Sequence, residues 1–134
     1  MASVTKQRGD SDCAIAALAT LAPALSYDAL AHAGARVEPT WRGQRGFLNR
    51  EVVALAASVG IVLQPSRRYN LDREAGVLSL YWQKRSRRAK ASPHGHFVCV
   101  RGGLILDPSD GTVTPWRDYV ARHGVTLCTL LRLT

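Results

Sequence analysis

Four residues of this chain have the types and the order that thiol chemistry requires: Gln7, Cys13, His96 and Asp107. A nucleophilic cysteine needs a setting that favours the thiolate, a base for its proton, a group to orient that base, and donors for an oxyanion. Cys13 is the candidate nucleophile. It opens the run Cys-Ala-Ile-Ala-Ala-Leu-Ala-Thr-Leu, and at a helix N-terminus the unpaired N–H groups and the dipole favour a negative sulfur. Asp12 beside it pulls the other way. His96 is the candidate base, standing where the apolar run Phe97-Val-Cys-Val100 begins and where packing gives a histidine no role. His94 is its rival, on the same face if the strand reaches that far. Asp107 ends the next apolar run and is the candidate orienter. Counted back from Gly102-Gly103, it falls opposite Val98, within diagonal reach of His96. Gln7 is the candidate oxyanion donor, its amide converging with the backbone N–H of Cys13. Singly, each has a plain structural reading: a core cysteine, a surface histidine, an Asp-Pro turn, a loop glutamine. Their order, each at the edge of an expected element, is what favours chemistry.

These residues need elements to position them. The all-apolar run after Cys13 reads as a central helix ending near Leu21, before Pro23, with Ser11 or Asp12 as its cap. A second helix is expected over Tyr27 to Ala33, between Ser26 as cap and Gly34 as stop. A third is expected from Arg50 to Ser58, with Asn49 as cap, Gly60 beyond its end, and Val52, Val53, Leu55, Ala56 and Val59 as its apolar stripe. The period then changes. Strands are expected at 61–63, at 76–82 and over His96–Val100. The last of these turns through Gly102-Gly103 into Leu104–Leu106 as a hairpin. A short helix is expected from Pro115 to Gly124 and a closing strand from Thr126 to Leu133. Helices first and strands second make an α+β fold with a largely antiparallel sheet.

Composition bounds the rest. A chain of 134 residues with 46% hydrophobic content makes one domain, 1–134, with a real core. Its charge of +8 favours acidic partners. No apolar stretch is long enough for a membrane span, and the N-terminus has no signal core, so a cytoplasmic protein is expected. Cys99 and Cys128 lie in apolar β-like runs and read as core packing. There is no CxxC pair and no zinc-type histidine spacing, so no cofactor or metal is expected.

On the Gln7, Asp12-Cys13, Ala14-to-Leu21, His96-to-Val100 and Asp107-Pro108 segments, the chain resembles the papain-like cysteine peptidases. Within them it resembles the bacteriocin-processing family that cleaves double-glycine leaders. The resemblance covers nearly the whole chain, including the helix from Asn49 to Gly60. Ala14 stands where that family has glycine, and the His-to-Asp interval is short. The resemblance implies a papain-like fold, Cys13 as nucleophile, His96 as general base, Asp107 as orienter and Gln7 as oxyanion donor. Its chemistry would be hydrolysis of a peptide bond through a thioester. No transporter domain follows in this sequence, so a stand-alone peptidase or amidase is expected, and the Ala- and Arg-rich composition suits a bacterial or phage source.

Two other readings compete. The fold could serve as a catalytically silent binding or inhibitory module. Alternatively, Lys84, Arg85, Arg87, Arg88 and Lys90, with Arg67 and Arg68, could contact nucleic acid through its phosphates. The same basic loop could equally steer an acidic peptide towards the cleft.

Overall fold

The computed structural model describes residues 3–9, 11–41, 46–81 and 95–134. Its helices are α1 (Cys13–Leu21), α2 (Tyr27–Val37), α3 (Asn49–Ser58) and α4 (Trp116–His123). Its strands are β1 (Leu63–Ser66), β2 (Gly76–Tyr81), β3 (His96–Arg101), β4 (Leu104–Leu106), β5 (Val113–Pro115) and β6 (Thr126–Leu133). The strands form one sheet in the order β1-β6-β2-β3-β4-β5, and every pairing is antiparallel. The expected α+β class is therefore the observed one. Among the described residues, no helix is long and apolar enough to cross a membrane.

α1 is the centre of the packing. Ala14 to Leu21 are all buried, and Cys13 alone keeps partial exposure. Ala, Leu and Ile present neither charge nor bulk, so the helix can be covered on every side. Thr20 is the one polar residue inside it. Its hydroxyl donates to Ala16 O and accepts the N–H of Thr5, which ties the N-terminal segment back along the helix. One residue on, at the C-terminus of the helix, Arg101 of β3 donates to Leu21 O at 2.7 Å, answering a carbonyl that the helix leaves open.

Alternation along β3 divides the core. Phe97 and Cys99 join the cluster that contains α1 to α3. Val98 and Val100 join a second cluster with Tyr119 of α4. The sheet thus lies between two apolar layers. The β3–β4 turn is made by Gly102 and Gly103, both with positive φ (58° and 82°), the pair of left-handed residues that a tight two-residue hairpin turn demands. β2 and β6 shift register between Leu78 and Leu80, and Ser79 spans the irregularity by bonding both N–H and C=O of Thr129.

Several sequence expectations change. α2 does not stop at Gly34 but runs on to Val37. A Cβ at Gly34 would lie 2.9 Å from Phe47 Cζ and 3.0 Å from Ile15 Cδ1, so this glycine is there for close packing, not as a stop. Asn49 lies inside α3, whose cap position is Leu48; Glu51 accepts the Leu48 N–H at 2.7 Å. Gly60 does close α3, with Gly60 and Ile61 donating back to Ala57 and Ala56. The strand expected at 61–63 begins only at Leu63 and extends through Pro65, which an edge strand tolerates. The strand expected to include Trp82 is described to Tyr81; Trp82, the basic segment 83–90 and His94 lie outside the described residues. β5 was not expected, because three residues ending in proline carry no alternation to read. Cys99 is buried as expected, whereas Cys128 is only half-buried.

Candidate active site

α1 lies alongside β3 with the same sense. Leu21 meets Arg101 at one end, and Cys13 meets His96 at the other. The partly exposed end of the central helix therefore sits beside the first residue of the hairpin. His96 is buried, with Nε2 2.8 Å from Asp107 Oδ1, and it shares a side-chain hydrogen bond with Cys13. The hairpin register pairs Cys99 with Leu106, so Asp107 follows opposite Val98 and reaches His96 diagonally.

Asp107 is completely buried, and its charge is answered by donors. Besides His96, Oδ1 accepts the N–H of Ser109 at 2.9 Å and its hydroxyl at 2.8 Å. Oδ2 accepts the Tyr119 hydroxyl at 2.7 Å. Asp107 thus builds the Asp-Pro-Ser turn and holds the histidine at once. Burial raises its pKa, but the bonds from His96, Ser109 and Tyr119 outweigh burial and hold the carboxyl well below the usual carboxylate range. Burial pulls His96 down. The bonds and charges of Asp107 and Cys13 more than offset this, and its pKa is raised to about 9. By contrast, burial pushes the Cys99 thiol up to about 12, which keeps it inert.

Asp12 occupies the cap position of α1 but makes no side-chain cap bond to the helix. Its buried carboxylate turns back to accept the N–H groups of Arg8 and Gly9 at 2.7 and 2.9 Å and the Tyr27 hydroxyl at 2.5 Å. Arg8 stacks over the Tyr27 ring at 3.9 Å. The negative charge beside Cys13 is thus committed to shaping the loop that precedes it. Gln7 belongs to that loop. Its N–H donates to Pro108 O at 2.8 Å, which joins the loop to the Asp107 turn. Its side-chain Nε2 donates to Gly9 O at 2.6 Å, and among the described residues the buried Oε1 has no hydrogen-bond partner.

A cleft of about 130 Å³ opens beside His96, walled by Phe47, Leu48, Leu80, Tyr81, Gly95 and Phe97. Its rim carries Leu48 and Tyr81, exposed at 38% and 51% although apolar in body. A second cleft, of about 280 Å³, lies on the Asp12 side between Arg8, Tyr27 and Trp41.

Cys13, His96 and Asp107 are therefore brought together, and Gln7 is brought to the same loop cluster by its backbone. Tyr119 and Ser109 were missed by sequence reasoning. Ser109 had a readable signal, since an Asx-type turn places the residue two beyond the aspartate under its carboxylate. Tyr119 had a weaker one: a tyrosine in the buried stripe of a short helix needs a partner for its hydroxyl.

No family profile matches the chain, and no curated protein is similar to it in sequence. Among solved structures, the chain is similar to the peptidase domain of Streptococcus ComA, a bi-functional ABC transporter involved in a quorum-sensing pathway. The TM-score is 0.59 at 15% identity, covering 96% of this chain and 98% of that one. A likeness of that kind speaks for architecture, and the α+β fold described above, with its six-stranded antiparallel sheet, is that of a papain-like peptidase domain.

Proposed function

We propose that this protein is a papain-like cysteine peptidase, or an amidase of the same chemistry, akin to the peptidases that process double-glycine leaders. The observation that carries the reading is the buried His96–Asp107 pair at 2.8 Å, whose imidazole also bonds the one partly exposed residue of α1, Cys13. Cys13 attacks the scissile carbonyl and forms the S–C bond of a thioester as the C–N bond breaks. His96 gives its proton to the leaving amine, then takes one from the water that hydrolyses the acyl-enzyme. Asp107 keeps the imidazole oriented and supports its positive charge. The Cys13 backbone N–H and the Gln7 amide serve the oxyanion, the latter after leaving Gly9 O. The cleft beside His96 and the cleft on the Asp12 side take the peptide on either side of the scissile bond, and the charge of +8 favours acidic segments.

The test is alkylation of the native protein with limiting iodoacetamide near neutral pH, with the adduct located by mass spectrometry. Selective labelling of Cys13 over Cys99 and Cys128, lost in His96→Ala, is expected. Equal labelling of the cysteines, or none at Cys13, would leave a binding module without turnover.

A further inference from the structure

Burying the whole of Asp107 makes its two oxygens compete for a limited set of donors. Three converge on Oδ1: His96 Nε2, the Ser109 N–H and the Ser109 hydroxyl. Oδ2 has the Tyr119 hydroxyl at 2.7 Å. Tyr119 is fully buried in the second apolar cluster, and its ring packs on His123 at 4.5 Å. Phenylalanine would fill the same apolar volume there, so the hydroxyl answers to Asp107 rather than to packing. Parity explains how it arrives. Asp107 follows Ile105 by two, and Ile105 lies in the cluster that contains Tyr119.

We propose that Tyr119 is a positioning residue: its hydroxyl pins Oδ2, so that Oδ1 stays aimed at His96 Nε2 and the imidazole stays turned to the Cys13 sulfur. This rests on the reading of Cys13, His96 and Asp107 given above. Donors on Oδ1 alone restrain rotation about χ2 from one side; a donor on Oδ2 as well restrains it from both and narrows the angle at which Oδ1 meets the imidazole. The arrangement lets α4 fix the line along which the imidazole receives and returns a proton. Among the described residues, the titratable groups facing the carboxylate and imidazole include Cys13 from α1 and Tyr119 from α4, with His123 behind the Tyr119 ring.

The experiment uses the full chain as wild type, Tyr119→Phe, Asp107→Asn, the double variant and His96→Ala. It measures the rate of Cys13 alkylation at pH 7 and the titration midpoint of the His96 imidazole by NMR. Tyr119→Phe should slow alkylation about tenfold, as loss of a supporting hydrogen bond behind a functional histidine does, and should lower the His96 midpoint. It should add no further loss to Asp107→Asn, because both act through one carboxylate. A wild-type rate and midpoint in Tyr119→Phe, or additive losses in the double variant, overturn the inference. Site-specific 3-fluorotyrosine at 119 keeps the ring's shape while strengthening its O–H donor, and so serves if Tyr119→Phe does not fold. A displaced His96 midpoint supports the role, and an unmoved one overturns it. If His96→Ala alkylates at the wild-type rate, the peptidase reading itself falls; the inference alone falls when His96→Ala is slow and Tyr119→Phe is not.

Discussion

His96 Nε2 lies 2.8 Å from Asp107 Oδ1, with 3% and 0% of the two side chains reached by water. A pair so placed ties the stability of the molecule to pH. The His96 pKa is raised to about 9 in the fold, against about 6.5 for an unfolded chain. Its contribution is therefore complete below about pH 6.5 and is lost as pH rises through about 9. The Asp107 pKa is lowered, so its contribution is present above about pH 4 and is lost on acidification. Urea denaturation should show stability falling between pH 6.5 and 9, and His96→Gln should flatten that fall. Parallel curves for the two proteins would contradict the pairing.

Gln7→Ala separates an oxyanion donor from a loop residue. On a cleavable peptide, kcat should drop about 10²–10³-fold. Alkylation of Cys13 creates no oxyanion and should keep its wild-type rate. Equal losses in both assays would show that the Gln7 side chain acts instead by holding the loop through its bond to Gly9 O.

Asp12→Ala removes the acceptor of two backbone N–H groups and the Tyr27 hydroxyl. The stability cost should be about 1–3 kcal/mol by chemical denaturation, the range for buried donors left without a partner. Removing this negative neighbour should not speed Cys13 alkylation, because the carboxylate serves the loop. A faster reaction would restore the view of Asp12 as an electrostatic opponent of the thiolate.

Gly34→Ala introduces a methyl at 2.9 Å from Phe47 Cζ and 3.0 Å from Ile15 Cδ1. Phe47 and Ile15 are themselves buried, so overpacking should destabilise by about 1–3 kcal/mol. Phe47 also walls the cleft beside His96, so the variant should weaken peptide binding as well. A thermal melt coincident with wild type would refute the packing role.

Much of this was legible in the sequence because it rests on local patterns. Apolar content on all faces marked α1, Ser26 marked the start of α2, and the two glycines fixed the hairpin register that carries Asp107 to His96. The rest depended on contacts between distant segments. Gly34 has the look of a helix stop until Phe47 and Ile15 are seen against it. Asp12 has the look of a cap until Arg8, Gly9 and Tyr27 are seen to claim it. The Tyr119 hydroxyl meets Asp107 only once α4 has docked on the sheet, and no spacing within Trp116–His123 announces that.

The complete burial of Ala14 to Leu21 bears on how the molecule breathes. Backbone amides of such an element exchange with solvent only when the whole structure opens, whereas edge loops exchange through local fluctuations. The sulfur is therefore mounted at the start of a helix whose buried turns open only with the rest of the core. Accommodation of an incoming peptide then falls to the segments around it, the surroundings of Leu48, Tyr81 and Gly95 on one side and of Gln7 and Gly9 on the other, rather than to the helix.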